Sequence, residues 1–414
     1  MGILMRGAGQ MRRHAAAHKG LIVLVALMAV VALAGTSWAA GQLSAGPLKV
    51  RGEVMASWSN ESNIFKTETN ETSDNIYKIE PTLGLRHDLT STSYYSLEYQ
   101  GIFAWYADNK DNDWTSHLLN FNSFFGSKQG PYVKLSDVYI NTEDPFGSQN
   151  LYREGQKTKR WINQFKVAPG YQFGELAKAE VFYENMYTKY DLTRDASQNQ
   201  NENRLGATYY HKFWPKTSAL VQYRYVTRDY YDQPSSQAEN FVRNDAFVGL
   251  AWDASAKLNG EIKIGYSWQT YDNDLNPAGQ AYEKKDGFAV EGDLAYQVSA
   301  NVSLMLRLMR AIQESTVANS NYYIDTNATL GVRWQIVNNL SLLASGTIGQ
   351  NDYNSLDSSP SRDDKVYKAE LGAEYSFLRY LFVRAGYRLD KKDSNVTNSS
   401  YTDNIYYVGL GGRF

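Results

Sequence analysis

Few residues in this chain are equipped for catalysis. Five histidines occur in 414 residues, and two of them sit in the basic start of the chain, leaving His87, His117 and His211. A histidine becomes a general base, or activates a nucleophile, when a hydroxyl or paired acids stand within hydrogen-bond reach. Only His117 has such company nearby, with Asp111, Asp113 and Ser116. Polar loops supply such neighbours without design, so an exposed loop histidine is the better reading. The chain has no cysteine, which removes thiolate nucleophiles, disulfides and lipid attachment through sulfur. The runs DNKDND and DNDLN offer carboxylates for calcium but lack the spaced ligands and closing glutamate of a calcium loop. The glycines of GLGGR close a strand-like stretch and do not join a strand to a helix, so they form no phosphate cradle. No catalytic residue, cofactor or metal ligand is assigned.

Charges at alternating positions carry more information. Lys49, Arg51, Arg224, Lys263, Arg307, Arg333, Arg384, Arg388 and Arg413 share the polar face of their stretches with Glu53, Glu98, Glu180, Glu184, Glu261, Glu291, Asp293, Glu370 and Glu374. Beside faces apolar enough for lipid, such residues must line a wet or ion-paired interior. The signs are mixed, whereas a pore selecting one ionic class shows a ring or ladder of one sign. Two readings stay open: a lumen suited to a neutral, hydroxyl-rich solute, and a wall closed by salt bridges.

The elements that must position these charges are strands. Period-two alternation recurs through the chain, as in LKVRGEVMASW, where Leu48, Val50, Val54, Ala56 and Trp58 oppose Lys49, Arg51, Glu53 and Ser57. About eighteen such segments begin near residues 48, 75, 94, 114, 131, 159, 177, 203, 218, 245, 258, 287, 301, 325, 339, 365, 380 and 403. Each is close to the roughly 9 to 11 residues a tilted strand needs to cross a bilayer. Long polar linkers such as NESNIFKTETNETSDN and NTEDPFGSQNLYREGQ alternate with tight ones such as WPKTS, VSAN and VNN.

This alternation describes an all-β, transmembrane up-and-down antiparallel β-barrel of about 18 strands (16 to 18), with short periplasmic turns and long extracellular loops. The longest loops stay under about twenty residues, and one folding inward would form a constriction. Aromatics gather at segment ends: Phe213, Trp214, Trp252, Tyr296, Trp334 and Phe377 beside short turns, and Trp58, Trp105, Trp114, Trp161 and Trp268 beside long loops. Two such bands are the girdles that rings form at membrane interfaces.

The start of the chain fits this location. A basic segment, an apolar run from Leu21 to Leu33 and the small-x-small site Ser37-Trp38-Ala39 read as a signal peptide over 1–39, followed by a single barrel domain over 40–414. Removing Arg6, Arg12, Arg13 and Lys19 with no acid takes the formal charge from -2 to -6, which argues against nucleic acid as a partner. At the other end, NIYYVGLGGRF places Tyr406, Val408, Leu410 and Phe414 on one apolar face with no polar tail behind them. In a closed barrel this segment must pair with the first strand. By resemblance to outer-membrane proteins generally, its terminal aromatic is the expected signal for the barrel-insertion machinery, and outer-membrane lipid is the expected surrounding.

The stretch SNESNIF, the hairpin DNIYKIEPTLGLRHDLTSTSYYSLEY and the terminal YYVGLGGRF together resemble the outer-membrane β-barrel porin type 2 family over residues 45 to 414. That resemblance implies a passive conduit for export of a secreted polysaccharide, working beside a periplasmic polysaccharide-export complex. It supplies no residue roles. Dedicated polyanion exporters have markedly basic lumens, so the mixed signs here speak against an acidic polymer. A general diffusion porin, an outer-membrane hydrolase using His117, and a structural or adhesive barrel are the alternatives.

Overall fold

The computed structural model describes residues 43–414 apart from 128, 147, 149–156, 237, 254–255, 276–278, 283, 316–319 and 357–359. The expected signal peptide over 1–39 lies outside the described residues. A short strand β1 (Leu43–Ala45) precedes β2 (Leu48–Glu61), β3 (Asp74–Asp88), β4 (Tyr94–Tyr106), β5 (Trp114–Gly126), β6 (Gly130–Asp144) and β7 (Thr158–Phe173). The chain continues through β8 (Ala177–Tyr190), β9 (Gln200–Trp214), β10 (Thr217–Asp229), β11 (Phe241–Trp252), β12 (Leu258–Tyr271) and β13 (Lys285–Ser299). It ends with β14 (Val302–Glu314), β15 (Tyr322–Val337), β16 (Leu340–Tyr353), β17 (Asp363–Ser376), β18 (Leu381–Ser394) and β19 (Tyr401–Arg413).

From β2 onward every strand pairs antiparallel with the next, and β19 returns to β2 with Val408 opposite Trp58 and Arg413 opposite Glu53. The sheet is therefore a closed barrel of eighteen strands, β1 being an addition at its seam. The strands begin close to the positions alternation marks, but they run 12 to 16 residues.

The seam is completed by three pieces. Beyond Arg413, Phe414 exchanges backbone hydrogen bonds with Gly52 at 2.9 and 3.1 Å. Where β19 runs out, β1 pairs with the same strand, Leu43 opposite Val50 and Ala45 opposite Leu48. The Phe414 ring lies over Gly52, so any β-carbon there would collide with it. Tyr406, Val408 and Leu410 are exposed on the outside of this strand.

The distribution of polarity is the reverse of a water-soluble core. Leu83, Val181, Val221, Ile264, Ile348 and Leu371 are exposed, while Glu202, Asp245, Asp364 and Asp403 are fully buried. Exposed apolar bands of this extent suit hydrocarbon and not water. Contacts that skip strands identify the concave side: Arg224 of β10 reaches Glu291 of β13, and Tyr210 of β9 reaches Glu261 of β12. All eighteen charged residues singled out from alternation fall, by register, on this inner face.

One of the aromatics expected in a girdle lies elsewhere. Trp114 packs with Ile64, Ile76, Ala104 and Tyr106, and the register places Ile76, Ala104 and Tyr106 on the inner face. Trp114 stands directly across from Ala104 and on the same face as Asn120, so regular alternation along β5 turns its ring inward. Trp105, Trp161 and Trp268 do stand on the outer face, the last two packed against Tyr139 and Tyr187, and Tyr266.

We expect deletion of Phe414, or Gly52→Val, to lower the amount of assembled barrel. Heat-modifiable migration of the membrane-inserted protein measures it, and unchanged levels in both variants would refute the role of this seam.

Candidate functional site

The inner wall is built in layers. Four inward aromatics each face a glycine directly across the strand pair: Tyr132 and Gly170, Phe182 and Gly206, Phe247 and Gly265, Phe382 and Gly411. A β-carbon at any of these glycines would collide with the ring, so each ring lies flat on bare backbone and is itself buried. Long cations cover the rings. Lys166 stands 4.6 Å from the Phe182 centroid, Arg224 5.2 Å from Phe247, and Arg413 4.4 Å from Phe382. Cation–ring attraction of this kind is worth about 0.5–1 kcal/mol when exposed and more when desolvated.

Carboxylates complete each layer. Arg224 is held by Asp245 and Glu291, both at 2.7 Å, and Lys263 joins Glu291 at 2.8 Å. Glu374 receives Arg384 at 2.6 Å and Arg413 at 2.9 Å, with Arg333 at 3.8 Å. Tyr407 donates to Glu370, which also faces Arg388 at 3.5 Å. Lys134 and the Tyr132 hydroxyl meet at Glu180, and Tyr210 donates to Glu261 at 3.0 Å. Arg51 pairs with Glu98 and Arg307 with Asp293, while Lys49 is drawn to Asp88. Glu184 and the buried Glu202 share Arg204, and Arg228 also reaches Glu202.

Equal numbers of each sign do not give equal exposure. The side chains of Arg51, Arg307 and Arg333 are 63%, 61% and 54% exposed, whereas those of Glu98, Glu374, Glu184 and Glu180 are 20%, 4%, 7% and 10% exposed. Two acids depart from this pattern: Asp293, at 66%, and Glu291, at 31% against 16% and 13% for its partners Arg224 and Lys263. The cause is reach: carboxylates are short and sit against the wall, while arginine and lysine arch over them and end in the lumen. The surface met by a solute is therefore rich in N–H donors, with neutralising charge behind them. The mixed signs of the sequence conceal this.

The wall is also uneven around the circumference. From β8 to β12 its charges are packed and largely hidden, whereas Met305, Arg307 and Asp293 on β13 and β14 are open to the interior. Gly411→Val should push Phe382 off its seat and unsettle Arg384 and Arg413, costing roughly 1–3 kcal/mol as overpacking does. A lowered temperature for the heat-modifiable shift measures it, and an unchanged temperature would contradict the layered wall.

The long loop 62–73 turns into the mouth. Ile64 joins the inner-face cluster of Ile76, Ala104 and Tyr106. Opposite it, Asp403 accepts the Asn63 backbone N–H at 2.9 Å, the Ser62 hydroxyl at 3.2 Å and the Lys66 ammonium at 2.5 Å. Lys66 also faces Asp390 at 3.4 Å, and it holds φ at +55°, a conformation side-chain-bearing residues adopt rarely. Asn63, Lys66, Asp390 and Asp403 were not singled out from the sequence. Their only signal is polar residues at inward positions of the last strands, and nothing local joins them to a loop some 340 residues away.

At the same rim, loop 230–240 is tied to its neighbours, Gln233 donating to the Ser197 carbonyl and Asn273 to the Ala238 carbonyl. Burial pushes the Glu239 carboxyl above the usual carboxylate range, against the lowering effect of its bond to Gln233.

The histidine candidate is not assembled for chemistry. His117 faces outward, its Nδ1 2.9 Å from the Tyr99 hydroxyl and its ring against Phe103, while its neighbour in sequence, Ser116, points to the opposite face. Asp113 is engaged by the Tyr106 backbone N–H at 2.7 Å. His87 and His211 are also on outward positions, beside Tyr95 and Tyr209.

Lys66→Ala should leave buried Asp403 without its cation, costing on the order of 3–5 kcal/mol of loop docking. Single-channel conductance in planar bilayers should rise and become noisier, and Asp403→Asn should behave alike. Unchanged traces in both would mean that the loop does not restrict the lumen.

A closed, lipid-belted barrel with a polar interior, short turns at one rim and long loops at the other defines an outer-membrane porin-like protein. The family described as "Putative beta-barrel porin 2" matches residues 39–414, and the chain belongs to it. No curated protein matches in sequence. Among solved structures, the outer membrane protein opdK from Pseudomonas aeruginosa is similar at 11% identity and TM-score 0.45, over 88% of this chain and 99% of that one. The siderophore receptor PirA from Pseudomonas aeruginosa is similar at 8% identity and TM-score 0.39, covering 88% and 80%. The siderophore receptor PiuA from Acinetobacter baumannii is similar at 10% identity and TM-score 0.41, covering 90% and 82%. Likenesses at these levels say nothing of what this chain carries.

Proposed function

We propose that this barrel is a passive conduit for a hydroxyl-rich solute, and that a secreted polysaccharide leaving the cell is its cargo. The observation that carries the reading is the exposed layer of arginine and lysine N–H groups backed by buried carboxylates. Such a surface donates to hydroxyl and carboxylate oxygens of a passing chain. The carboxylates behind it keep the attraction weak enough for release, as conduction requires. The buried rings of Phe182, Phe247 and Phe382 offer no stacking platform, so passage relies on hydrogen bonding. The excess of exposed cations also admits weakly acidic polymers, which the balanced charge count alone spoke against.

The polysaccharide itself is suggested by the family resemblance, with a periplasmic export complex as the expected partner. General diffusion of small sugars is the second reading, favoured by the inward loop 62–73, which narrows the mouth. The hydrolase alternative loses its candidate, since His117 lies on the outer face.

Purified barrel in planar bilayers under a salt gradient should show a modest preference for anions, and liposomes containing it should swell in oligosaccharide solutions. Clear cation selectivity would overturn the proposed role of the exposed arginines. Swelling with monosaccharides but not with oligosaccharides would favour the small-solute reading.

A further inference from the structure

On the outer face of β14 to β17, two neighbouring cross-strand rows differ sharply in chemistry. The lower row runs Leu308, Ala328, Ile348, Tyr367, and the row two residues nearer the long loops runs Arg310, Thr326, Gln350, Lys365. Small Ala328 between Leu308 and protruding Ile348 leaves a groove of about 550 Å³, lined by both rows. Two residues along a strand is about 7 Å, so hydrocarbon-compatible and cationic surfaces meet within the height of one headgroup.

We propose that this groove binds an outer-leaflet lipid whose headgroup carries phosphate. An acyl chain lies against Leu308, Ala328, Ile348 and Tyr367, and the phosphate is held by Arg310 and Lys365. Arg310 is already aimed along the rim by its hydrogen bond to the Thr326 hydroxyl at 2.5 Å. Among the described residues, no carboxylate stands within ion-pair distance of Arg310 or Lys365, in contrast to the paired cations of the lumen. Three acids share this face: Asp393 lies directly across from Lys365, and Asp352 and Asp363 lie one row nearer the loops. Asp393 holds Lys391 at 3.0 Å, and Asp352 and Asp363 both accept from Gln350. Lys391, directly across from Tyr367, stands 5.9 Å from its ring. Long loops face outward from the cell in such barrels, which puts the cationic row at the outer leaflet. Arg310 and Lys365, each without a carboxylate in ion-pair distance, are therefore the groups that favour an anionic amphiphile over a zwitterionic one.

The test is native mass spectrometry of the full barrel with bisphosphorylated lipid A, its dephosphorylated form, and phosphatidylcholine. The wild type should retain the bisphosphorylated lipid at least about tenfold more tightly than the other two, as charged hydrogen bonds to phosphate allow. Arg310→Ala with Lys365→Ala should erase that preference. Ala328→Trp should weaken retention by filling the groove while leaving both cations, and Lys189→Ala on the far side should change nothing. Heat-modifiability checks insertion of each variant, and if the double variant does not insert, Lys365→Ala alone carries the same expectation. Equal retention of all three lipids by the wild type, or an unaltered preference in the inserted cation variants, would overturn the proposal.

Discussion

A bilayer core contains no water to satisfy backbone N–H and C=O groups, and each group left unpaired there costs several kcal/mol. Every other feature of this protein follows from meeting that demand with strands, because a sheet with an edge cannot meet it. The seam between β2 and β19 is therefore as important as any site. The chain closes it with the pairing of Val408 and Trp58, the exchange between Phe414 and Gly52, and the short β1 where β19 ends.

Closure then creates a second problem, an interior wide enough to need furnishing. The wall answers with stacks in which glycine backbone supports a ring, the ring supports a cation, and a carboxylate neutralises the cation. Rings at Phe182, Phe247 and Phe382 keep apolar area out of the lumen water, and the glycines opposite make room for them. Because arginine and lysine are longer than the acids they pair with, these stacks end in N–H donors. The same cations thus rigidify the wall and define the surface a solute meets. Loop 62–73 applies the same economy at the mouth, where a single buried carboxylate, Asp403, gathers a backbone N–H, a hydroxyl and an ammonium.

Inside and outside use charge differently. In the lumen, cations such as Arg224 and Arg384 are pinned by carboxylates on the same or nearby strands. On the outer face of β14 to β17, Arg310 and Lys365 stand above apolar rows without that restraint. Paired charge gives shape to a conduit, and less restrained charge at a lipid boundary is available to a headgroup.

Alternation and linker length alone bounded the strands at about 16 to 18, which closure fixed at eighteen, and determined the meander, the two rims and which residues share a face. These are local properties: a side chain's face depends only on odd or even position, and a turn's length on its own residues. That is why Arg224, Glu291 and Arg413 could be assigned to the inner face without coordinates. Only the tertiary structure decided which acid lies behind which cation, that Trp114 turns inward, that Phe382 rests on Gly411, and that Lys66 docks on Asp403. Those outcomes depend on register between strands, on the differing reach of side chains, and on partners brought together only when the last strand closes on the first.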